Sequence, residues 1–456
     1  MTPVIALGRA RAVLGCAALG FLLACSHSAA EGPGSGGSSS GNGGSTAQGG
    51  APGNGGTQSG NGGTSAGGSG NGGTTGLGGA AQGGSSSGGA AQGGSSMGGS
   101  NASGGAAGNT SGGSAGAATG GSGGATDPNW KAVVSTKVTD AMLNDGYTAW
   151  KGKFTQTCSN GSAVVVKDGT EVVSEGIAYG MLLSANMNDR TFFDALWKYY
   201  QDHLDSNGLM NWKTGICEAP GNNNTNAATD AELDAAMALV QAHARWADGG
   251  YLGKASALAA KIIQFETEDC SGRKILRPGD KFGGCSDSGQ PRINPSYFAP
   301  GYYRVFAQKF SDQAASWNAL LTGTYELFPI LQARMNGLVP DWSRVDGSDW
   351  SGSGYSWDAC RTPWRVMVDY AYSGDAKAKT FMQNVRTWVD TNGTGSMPQN
   401  SAFLGGFALA AAYDATKFDT AVNSWLTAEG DDKPYFQATL RMLYLLAAAG
   451  KFPSTM

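Results

Sequence analysis

Residues 230–247 read DAELDAAMALVQAHARWA, and residues 253–268 read GKASALAAKIIQFETE. The first segment is rich in Ala, Leu and Met around most of its circumference, whereas the second places apolar residues at helical spacing with polar residues opposite. A helix that is apolar on nearly all sides must be buried, and a helix with one apolar face covers a buried neighbour. The two segments therefore predict an inner helix followed by the outer helix that packs on it.

The same alternation recurs along the chain. Apolar runs lie at 176–187, 230–247, 299–310, 359–373, 402–413 and 436–449, and amphipathic segments lie at 137–150, 191–204, 253–268, 313–336, 375–391 and 417–428. Six such pairs predict an all-α fold, an (α/α)6 barrel of six inner and six outer helices. Repeats of about 40–60 residues also occur in open helical solenoids. The pairs share no repeated signature, however, and their connecting loops are long and aromatic, as in active-site rims, so the closed barrel is favoured.

The N-terminus carries an export signal. Arg9 and Arg11 precede an apolar stretch at 12–24 that is too short to span a bilayer. It ends in LLAC at 22–25, a pattern similar to a lipobox, in which cleavage before the cysteine is followed by lipid attachment. We expect 1–25 to be a lipoprotein signal peptide with Cys25 as the lipidation site, and an ordinary secretory peptide is the alternative. Either one predicts export, either to the outer membrane or cell surface through Cys25, or as a secreted protein.

The next hundred residues differ sharply from the rest. Residues 26–126 are mainly Gly, Ser, Ala, Asn, Thr and Gln, and Leu77 and Met97 are their only bulky apolar side chains. Such a segment cannot bury enough surface to offset the entropy of ordering its backbone, so we expect a flexible linker with a reach of roughly 50–60 Å. Residues 127–456 contain no second linker and are expected to form one catalytic domain.

Charge and histidine content exclude some functions. The formal net charge of −4 and the absence of a long basic run argue against nucleic acid as a partner. His203 and His243 are the only histidines after residue 126, and no CxxC motif is present. We therefore expect no metal and no other cofactor. A neutral polymer fits this composition better as the substrate.

An exported domain meets an oxidising environment, so its cysteines are expected to pair. Cys270 and Cys285 bracket a Gly-rich loop and are the favoured pair, and Cys158 with Cys217 is a possible second pair. One cysteine of the five is then left over. Cys360, inside an aromatic-rich segment, is expected to be a buried free thiol.

Three acids stand at the start of apolar helical runs. Glu175 lies in SEGIAYGM at 174–181, Asp230 in ATDAELD at 228–234, and Asp358 in YSWDACRTPWR at 355–365. Hydrolysis of a glycosidic bond needs one carboxylic acid to protonate the leaving oxygen and one carboxylate to activate water or attack carbon. The apolar neighbours of Glu175 favour its protonated form, which suits it to the first role.

Structural roles remain open for each of these acids. Glu175 and Asp230 are also placed to cap or begin a helix, and Asp234, one turn after Asp230, would extend a carboxylate patch on the same face. Asp358 lies close to two arginines and is a candidate for an ion pair. Aromatic segments at 208–213, 294–303 and 340–342 are suited to stacking on sugar rings. Together with the acids they predict a glycan cleft.

The residues resemble glycoside hydrolase family 8 over nearly all of 127–456. The resemblance rests on segments that match in order and spacing: 173–183, 193–199, 208–212, 228–231, 274–284, 294–300 and 337–342. It implies an (α/α)6 barrel and an inverting hydrolase of β-1,4-linked glycans. The expected substrate is cellulose or a related β-glucan, cut internally during polysaccharide degradation by a monomeric enzyme. Family members that act on xylan, chitosan or lichenan, and a carbohydrate-binding lipoprotein without activity, are the alternatives.

By position, the resemblance implies that Glu175 is the general acid and Asp358 the general base. Asp230 would hydrogen-bond the sugar at the cleavage point, while Tyr297 and Arg361 would orient the base or its water. An inverting mechanism predicts a gap of roughly 6.5–9.5 Å between the acid and base carboxyl groups.

The resemblance also implies aromatic contacts with substrate. Trp212 would stack on a sugar, and Phe282 stands where similar cellulases carry a tryptophan, so that stacking would persist there with a smaller surface. Trp357, which precedes the expected base, differs from the cellulase pattern and is also expected to line the cleft.

Overall fold

The structure, a computed structural model, describes residues 127–221, 226–428, 430 and 432–455. The expected signal peptide at 1–25, with Cys25, and the expected linker at 26–126 lie outside the described residues.

Twelve α-helices run through the described part of the chain. They are α1 Asp140–Phe154, α2 Ser174–Asn186, α3 Arg190–Asp202, α4 Thr229–Arg245, α5 Tyr251–Phe265, α6 Pro300–Lys309, α7 Ala314–Arg334, α8 Thr362–Ser373, α9 Ala376–Asn392, α10 Ser401–Leu409, α11 Ala415–Val422 and α12 Tyr435–Ala448. Short helical turns of other types occupy Ala247–Gly249, Pro295–Tyr297, Ala359–Arg361 and Asn423–Thr427.

The even-numbered helices form an inner ring and the odd-numbered helices an outer one. Helices α2, α4, α8, α10 and α12 are buried over nearly their whole length, and α6 over more than half of it. The ring runs through α12, α2 and α4. The turn Pro295–Tyr297, which precedes α6 in the chain, contacts both α4 and α8, and the ring closes through α6, α8 and α10 back to α12. Helices α3, α5, α7, α9, α11 and α1 pack on α2, α4, α6, α8, α10 and α12, respectively. The predicted (α/α)6 barrel is confirmed.

Two glycines of α2 explain how closely its neighbours approach. A Cβ atom at Gly180 would lie 2.9 Å from both Leu196 Cδ1 and Val165 Cγ2. A Cβ atom at Gly176 would lie 2.9 Å from the Tyr435 hydroxyl oxygen. Real Cβ atoms are not found at such distances, because the atoms would overlap. Gly176 thus leaves space for Tyr435 to reach the beginning of α2, beside Glu175.

Within the described ranges, eight short strands pair into four antiparallel hairpins or ribbons between the helices. They are β1 Thr155–Thr157 with β2 Ala163–Val165, β3 Val172–Val173 with β4 Lys213–Thr214, β5 Thr267–Cys270 with β6 Arg273–Leu276, and β7 Arg292–Ile293 with β8 Ser343–Arg344. The β3–β4 pair joins the beginning of α2 to the loop that carries Trp212, since the Ser174 N–H donates to the Trp212 carbonyl at 2.9 Å. Strands this short leave no periodic signal in the sequence.

Both expected disulfides are present. Cys158 is bonded to Cys217 and Cys270 to Cys285. Cys360 is a buried free thiol, as predicted, and its sulfur donates to the Trp357 carbonyl oxygen at 3.1 Å.

Among the described residues, none of the helices combines the length and the apolar character needed to cross a bilayer.

The two disulfides should differ in their contribution to stability. The Cys158–Cys217 bond spans 59 residues of sequence, and Cys270–Cys285 spans 15. Because a longer closed loop removes more entropy from the unfolded chain, the double variant C158S/C217S should lose about 1 kcal/mol more unfolding free energy than C270S/C285S. Urea unfolding followed by circular dichroism measures both. Equal losses, or a larger loss for C270S/C285S, would contradict the entropic account.

Candidate active site

The N-terminal ends of three inner helices, α2, α4 and α8, meet at one place in the barrel. Glu175 and Asp230 lie in the first turns of α2 and α4, and Asp358 immediately precedes the short turn that leads into α8. The residues at the N-cap positions of α2 and α4, Val173 and Ala228, make no side-chain capping bond. Neither Glu175 nor Asp230 occupies a cap position, so the alternative that they serve mainly as helix caps does not apply.

Arg361 holds the three acids together. Its Nη1 donates to Glu175 Oε2 at 2.7 Å and to Asp230 Oδ2 at 2.8 Å, and its Nη2 donates to Asp358 Oδ1 at 2.8 Å. Nη2 also donates to the Ser296 hydroxyl at 2.9 Å. One buried cation therefore serves three carboxylates that are far apart in the sequence, which leaves this cluster with an excess of negative charge.

The three carboxylates differ in their access to solvent. The side chains of Glu175 and Asp358 are 20% and 29% exposed, whereas that of Asp230 is 3% exposed. Burial raises the pKa of Asp230 to about 7; Arg361 opposes this shift and Glu175 adds to it. Two acids are thus accessible to a bound molecule, and the third lies beneath them.

Two tyrosines complete this cluster. The Tyr435 hydroxyl donates to Glu175 Oε1 at 3.1 Å, so that both carboxyl oxygens of Glu175 have a partner. The ring of Tyr297 lies 5.3 Å from the Arg361 guanidinium. Burial raises the pKa values of both tyrosines well above the ordinary value, and the nearby acids raise them further. Both hydroxyl groups therefore remain protonated at neutral pH.

The aromatic residues expected to bind substrate lie in different surroundings. Trp212 is half-buried and is joined to the beginning of α2 through its backbone. Trp357 is also half-buried, and its ring packs edge-on against Phe403 and Phe436 at 4.9 and 6.0 Å between centroids. The structure brings Trp357 next to the acids, and its ring is part of the packing that supports the loop.

Phe282 belongs to a neighbouring aromatic cluster rather than to the three acids. The Arg292 guanidinium lies 5.8 Å from its ring, 4.5 Å from Trp342 and 5.7 Å from Trp350. Two members of this cluster are near residues of the site in the sequence. Arg292 begins β7, which precedes Tyr297, and Trp342 directly follows Asp341. Phe282 is half-buried, and the cation beside its ring was not predicted from the sequence.

The expectation that Asp234 extends the carboxylate patch is wrong. Both of its oxygens accept hydrogen bonds from Arg365, and the two side chains are completely buried. Asp234 is therefore one half of a bidentate ion pair beneath the site. The sequence suggested the opposite, because a helical repeat places Asp234 below Asp230 without revealing that a second arginine reaches it from α8.

Tyr435 and Asp341 are site residues that were missed. Tyr435 follows Pro434 and directly precedes the last apolar run. Like Glu175, it lies in the first turn of an inner helix, and this shared position was the available signal. Asp341 accepts backbone hydrogen bonds from both sides of Asp358, from Ser356 N at 3.0 Å and Ala359 N at 2.7 Å. In the sequence, the aromatic Trp342 is the feature that marks the segment of Asp341.

Two further buried acids lie below Asp230. Glu232 accepts hydrogen bonds from the Tyr200 hydroxyl and from Met210 N, each at 3.3 Å, and so supports the loop before Trp212. Glu266 is also fully buried. Burial raises the pKa of each well above the ordinary glutamate value, and each raises the pKa of the other or of the acids around it. Burial therefore favours the protonated form of both glutamates.

In the described part of the chain, side chains of metal-ligand type come together at Glu268, Cys270 and Cys285, whose ligand atoms lie within 4.8 Å of one another. Both sulfurs belong to one disulfide, so no thiolate is available for a metal there.

The chain is similar to known proteins over its described part. Residues 129–450 match the profile of glycosyl hydrolases family 8. Endoglucanase 2 of Ruminiclostridium josui is 33% identical over 342 residues, which cover 69% of this chain and 72% of that protein. Endoglucanase A of Acetivibrio thermocellus is 32% identical over 348 residues, 69% of this chain and 70% of that protein. The structure of a β-1,3-1,4-glucanase from Paenibacillus sp. X4 superposes with a TM-score of 0.62 at 23% identity, covering 70% of this chain and 95% of that one.

The raised pKa of Glu266 has a consequence for stability. In the unfolded chain this glutamate titrates near 4.5, and in the folded protein its pKa is well above that value. Between the two values the folded state binds the extra proton, so the free energy of unfolding falls as the pH rises. Glu266→Gln cannot titrate, and its unfolding free energy should therefore fall less between about pH 5 and pH 8 than that of the wild type.

Urea unfolding at several pH values measures this difference. Glu326→Gln, which changes an exposed glutamate on the outer helix α7, is the control and should follow the wild-type curve. Parallel curves for Glu266→Gln and the wild type would show that Glu266 is not held neutral by the fold.

Proposed function

We propose that this chain, which belongs to glycosyl hydrolases family 8, cuts β-1,4-linked glucan chains internally. The reaction inverts the configuration at the anomeric carbon. The observation that carries the proposal is the binding of three carboxylates from three inner-helix N-termini by the single guanidinium of Arg361. Two of these acids reach solvent, as an acid and a base acting on one sugar must.

Glu175 is proposed as the general acid. Its Oε2 accepts from the Arg361 cation, so the proton of the acid form resides on Oε1, the oxygen within 3.1 Å of the Tyr435 hydroxyl. In the reaction this proton passes to the glycosidic oxygen as its bond to the anomeric carbon breaks. Tyr435, held neutral by burial, keeps Oε1 in place without competing as a charge.

Asp358 is proposed as the general base. It takes a proton from water while the water oxygen forms a bond to the anomeric carbon on the face opposite the leaving group. Arg361 Nη2 holds one of its oxygens, which leaves the other free to bind the water. Asp230, beneath the two, hydrogen-bonds the sugar at the cleavage point, and Tyr297 supports this arrangement beside Arg361.

The substrate proposal rests on the relatives, which include two endoglucanases. Trp212 and Phe282 are half-buried and offer rings for stacking on sugars. Xylan, chitosan and lichenan are the alternative polymers for the same chemistry. A carbohydrate-binding protein without activity is disfavoured, because such a protein would not require Glu175, Asp230 and Asp358 to converge on one buried arginine.

We also propose that the enzyme is a lipoprotein of the outer membrane or cell surface, attached through Cys25. The support is the basic, apolar and LLAC pattern at 1–25, followed by the long Gly/Ser-rich segment at 26–126. The attached segment would let the catalytic domain reach an insoluble polymer away from the membrane. We expect a monomer.

Replacement of the proposed acid and base should abolish turnover. Glu175→Gln keeps the shape but has no carboxyl proton to donate, and Asp358→Asn cannot accept one, so each should lose on the order of 10²–10⁴ in kcat while still binding oligosaccharide. Release of reducing sugar from soluble cellulose, lichenan, xylan and chitosan measures the activity and the substrate preference together. Activity within about threefold of wild type for either variant would remove that residue from its role.

Stereochemistry tests the mechanism independently of the variants. NMR of a fresh hydrolysate of a β-linked oligosaccharide should show the α-anomer first, because water attacks opposite the departing bond. Early release of the β-anomer would mean a covalent intermediate, and the role proposed for Asp358 would be withdrawn.

The proposed attachment predicts the behaviour of two variants of the chain. Cys25→Ser should no longer label with a radioactive fatty acid and should leave the membrane fraction, because a thioether-linked lipid cannot form on serine. A chain that starts at Asp127 should be soluble and as active on soluble substrate as the full protein, because the composition of 26–126 predicts a linker that adds nothing to the core. Membrane recovery of the Cys25→Ser protein equal to wild type would contradict the lipidation site.

A further inference from the structure

We infer that Asp341 is a positioning residue, which holds the segment of the proposed base so that the Asp358 carboxylate faces the cleft. The inference rests on the proposed function and assigns a new role within the same site. Asp341 lies 17 residues before Asp358 in the sequence, on the loop that follows α7, and its carboxylate accepts from two backbone N–H groups of the segment that carries Asp358.

The contacts of Asp341 surround Asp358 on both sides. Its Oδ1 accepts from Ser356 N at 3.0 Å, two residues before Asp358, and from Ala359 N at 2.7 Å, one residue after it. The backbone N–H of Asp341 in turn donates to the Gly354 carbonyl at 2.7 Å, and Trp342 N donates to the Ser353 hydroxyl at 2.9 Å. The segment around Asp358 is thus fixed at several points to the segment 341–342.

The position of Asp358 explains why a second acid is needed. Asp358 is the N-cap residue of the turn Ala359–Arg361, where an aspartate ordinarily turns its side chain back onto the first amides of the helix. Here its side chain makes no capping bond, and its carboxylate accepts from Arg361 Nη2 instead. Asp341 accepts from the first amide of the turn, and the Ser356 carbonyl accepts from Cys360 N. Asp341 therefore takes over capping and leaves the Asp358 carboxylate available for chemistry.

The surroundings of Asp341 fit this role. The residue is only partly exposed, and burial raises the pKa of its carboxyl to about 6, with Asp358 adding to the shift and the two N–H donors opposing it. Its neighbour Asp346 offers a contrast, because Asp346 is exposed and its Oδ1 accepts from Ser348 N at 2.8 Å without any contact to the Asp358 segment.

The experiment compares Asp341→Ala, Asp341→Asn and Asp346→Ala in the full chain. Asp341→Ala should lower kcat about 100-fold with KM nearly unchanged, because a small displacement of the base spoils the attack geometry but not the binding of the polymer. Asp341→Asn should stay within about fivefold of wild type, because its amide oxygen can accept both N–H groups. Asp346→Ala, the control in the same loop, should behave as wild type.

Hydrogen exchange provides a readout that does not depend on activity. The amides of Ser356 and Ala359 should exchange faster in Asp341→Ala than in wild type or Asp346→Ala, and Asp341→Asn should restore their protection. Thermal unfolding identifies an assay temperature at which each variant is folded.

The outcomes separate this inference from the proposed function. If the wild type is active and Asp341→Ala has an unimpaired kcat, the role of Asp341 alone is overturned. The same holds if the wild type is active and Asp341→Asn is as inactive as Asp341→Ala. A parallel rise in KM and fall in kcat would also overturn it, since that pattern indicates a distorted cleft rather than a displaced base. No hydrolysis of any glycan by the wild type would overturn the proposed function and, with it, the catalytic meaning of Asp341.

Discussion

The buried guanidinium of Arg361 is the interaction on which the site depends. It joins Glu175, Asp230 and Asp358, whose positions in the chain are separated by up to 186 residues from its own. A buried cation is costly unless its donors are used, and a buried carboxylate is costly unless it is paired. Arg361 and the three acids therefore require one another, and the inner helices that carry them are fixed relative to one another by the same requirement.

The barrel makes this arrangement possible because it brings helix N-termini together. The N-terminus of a helix carries a partial positive charge and unpaired N–H groups, which favour a carboxylate nearby. Glu175 and Asp230 use this directly in the first turns of α2 and α4. Gly176 is part of the same arrangement, since its missing side chain leaves the space in which the Tyr435 hydroxyl meets Glu175. Fold and chemistry are thus connected at the same end of the inner ring.

The alternation of apolar and amphipathic runs was enough to predict the barrel. The spacing of apolar residues in each segment indicates whether its helix is buried on all sides or on one face. Cys270 and Cys285 could be paired because they are close in sequence around a tight loop. The contacts that shape the site were not predictable in this way. Tyr435 reaches Glu175 across 260 residues, and Asp341 binds the Asp358 segment through backbone amides that no side-chain pattern reports. The two-residue strands β3 and β4 are likewise too short to leave a period.

Asp230 and Asp234 show most clearly which information about the site the sequence does not contain. They lie one turn apart on α4, and both are buried among similar side chains. Asp234 receives both Nη groups of Arg365 for itself, which makes it a closed ion pair. Asp230 shares one nitrogen of Arg361 with Glu175, and its pKa is raised to about 7. Two arginines, Arg361 just before α8 and Arg365 within it, bind four carboxylates between them. The way in which they are shared decides which acid is structural and which is suited to chemistry. A helical spacing predicts that such acids share a face, but only the three-dimensional pairing distinguishes them.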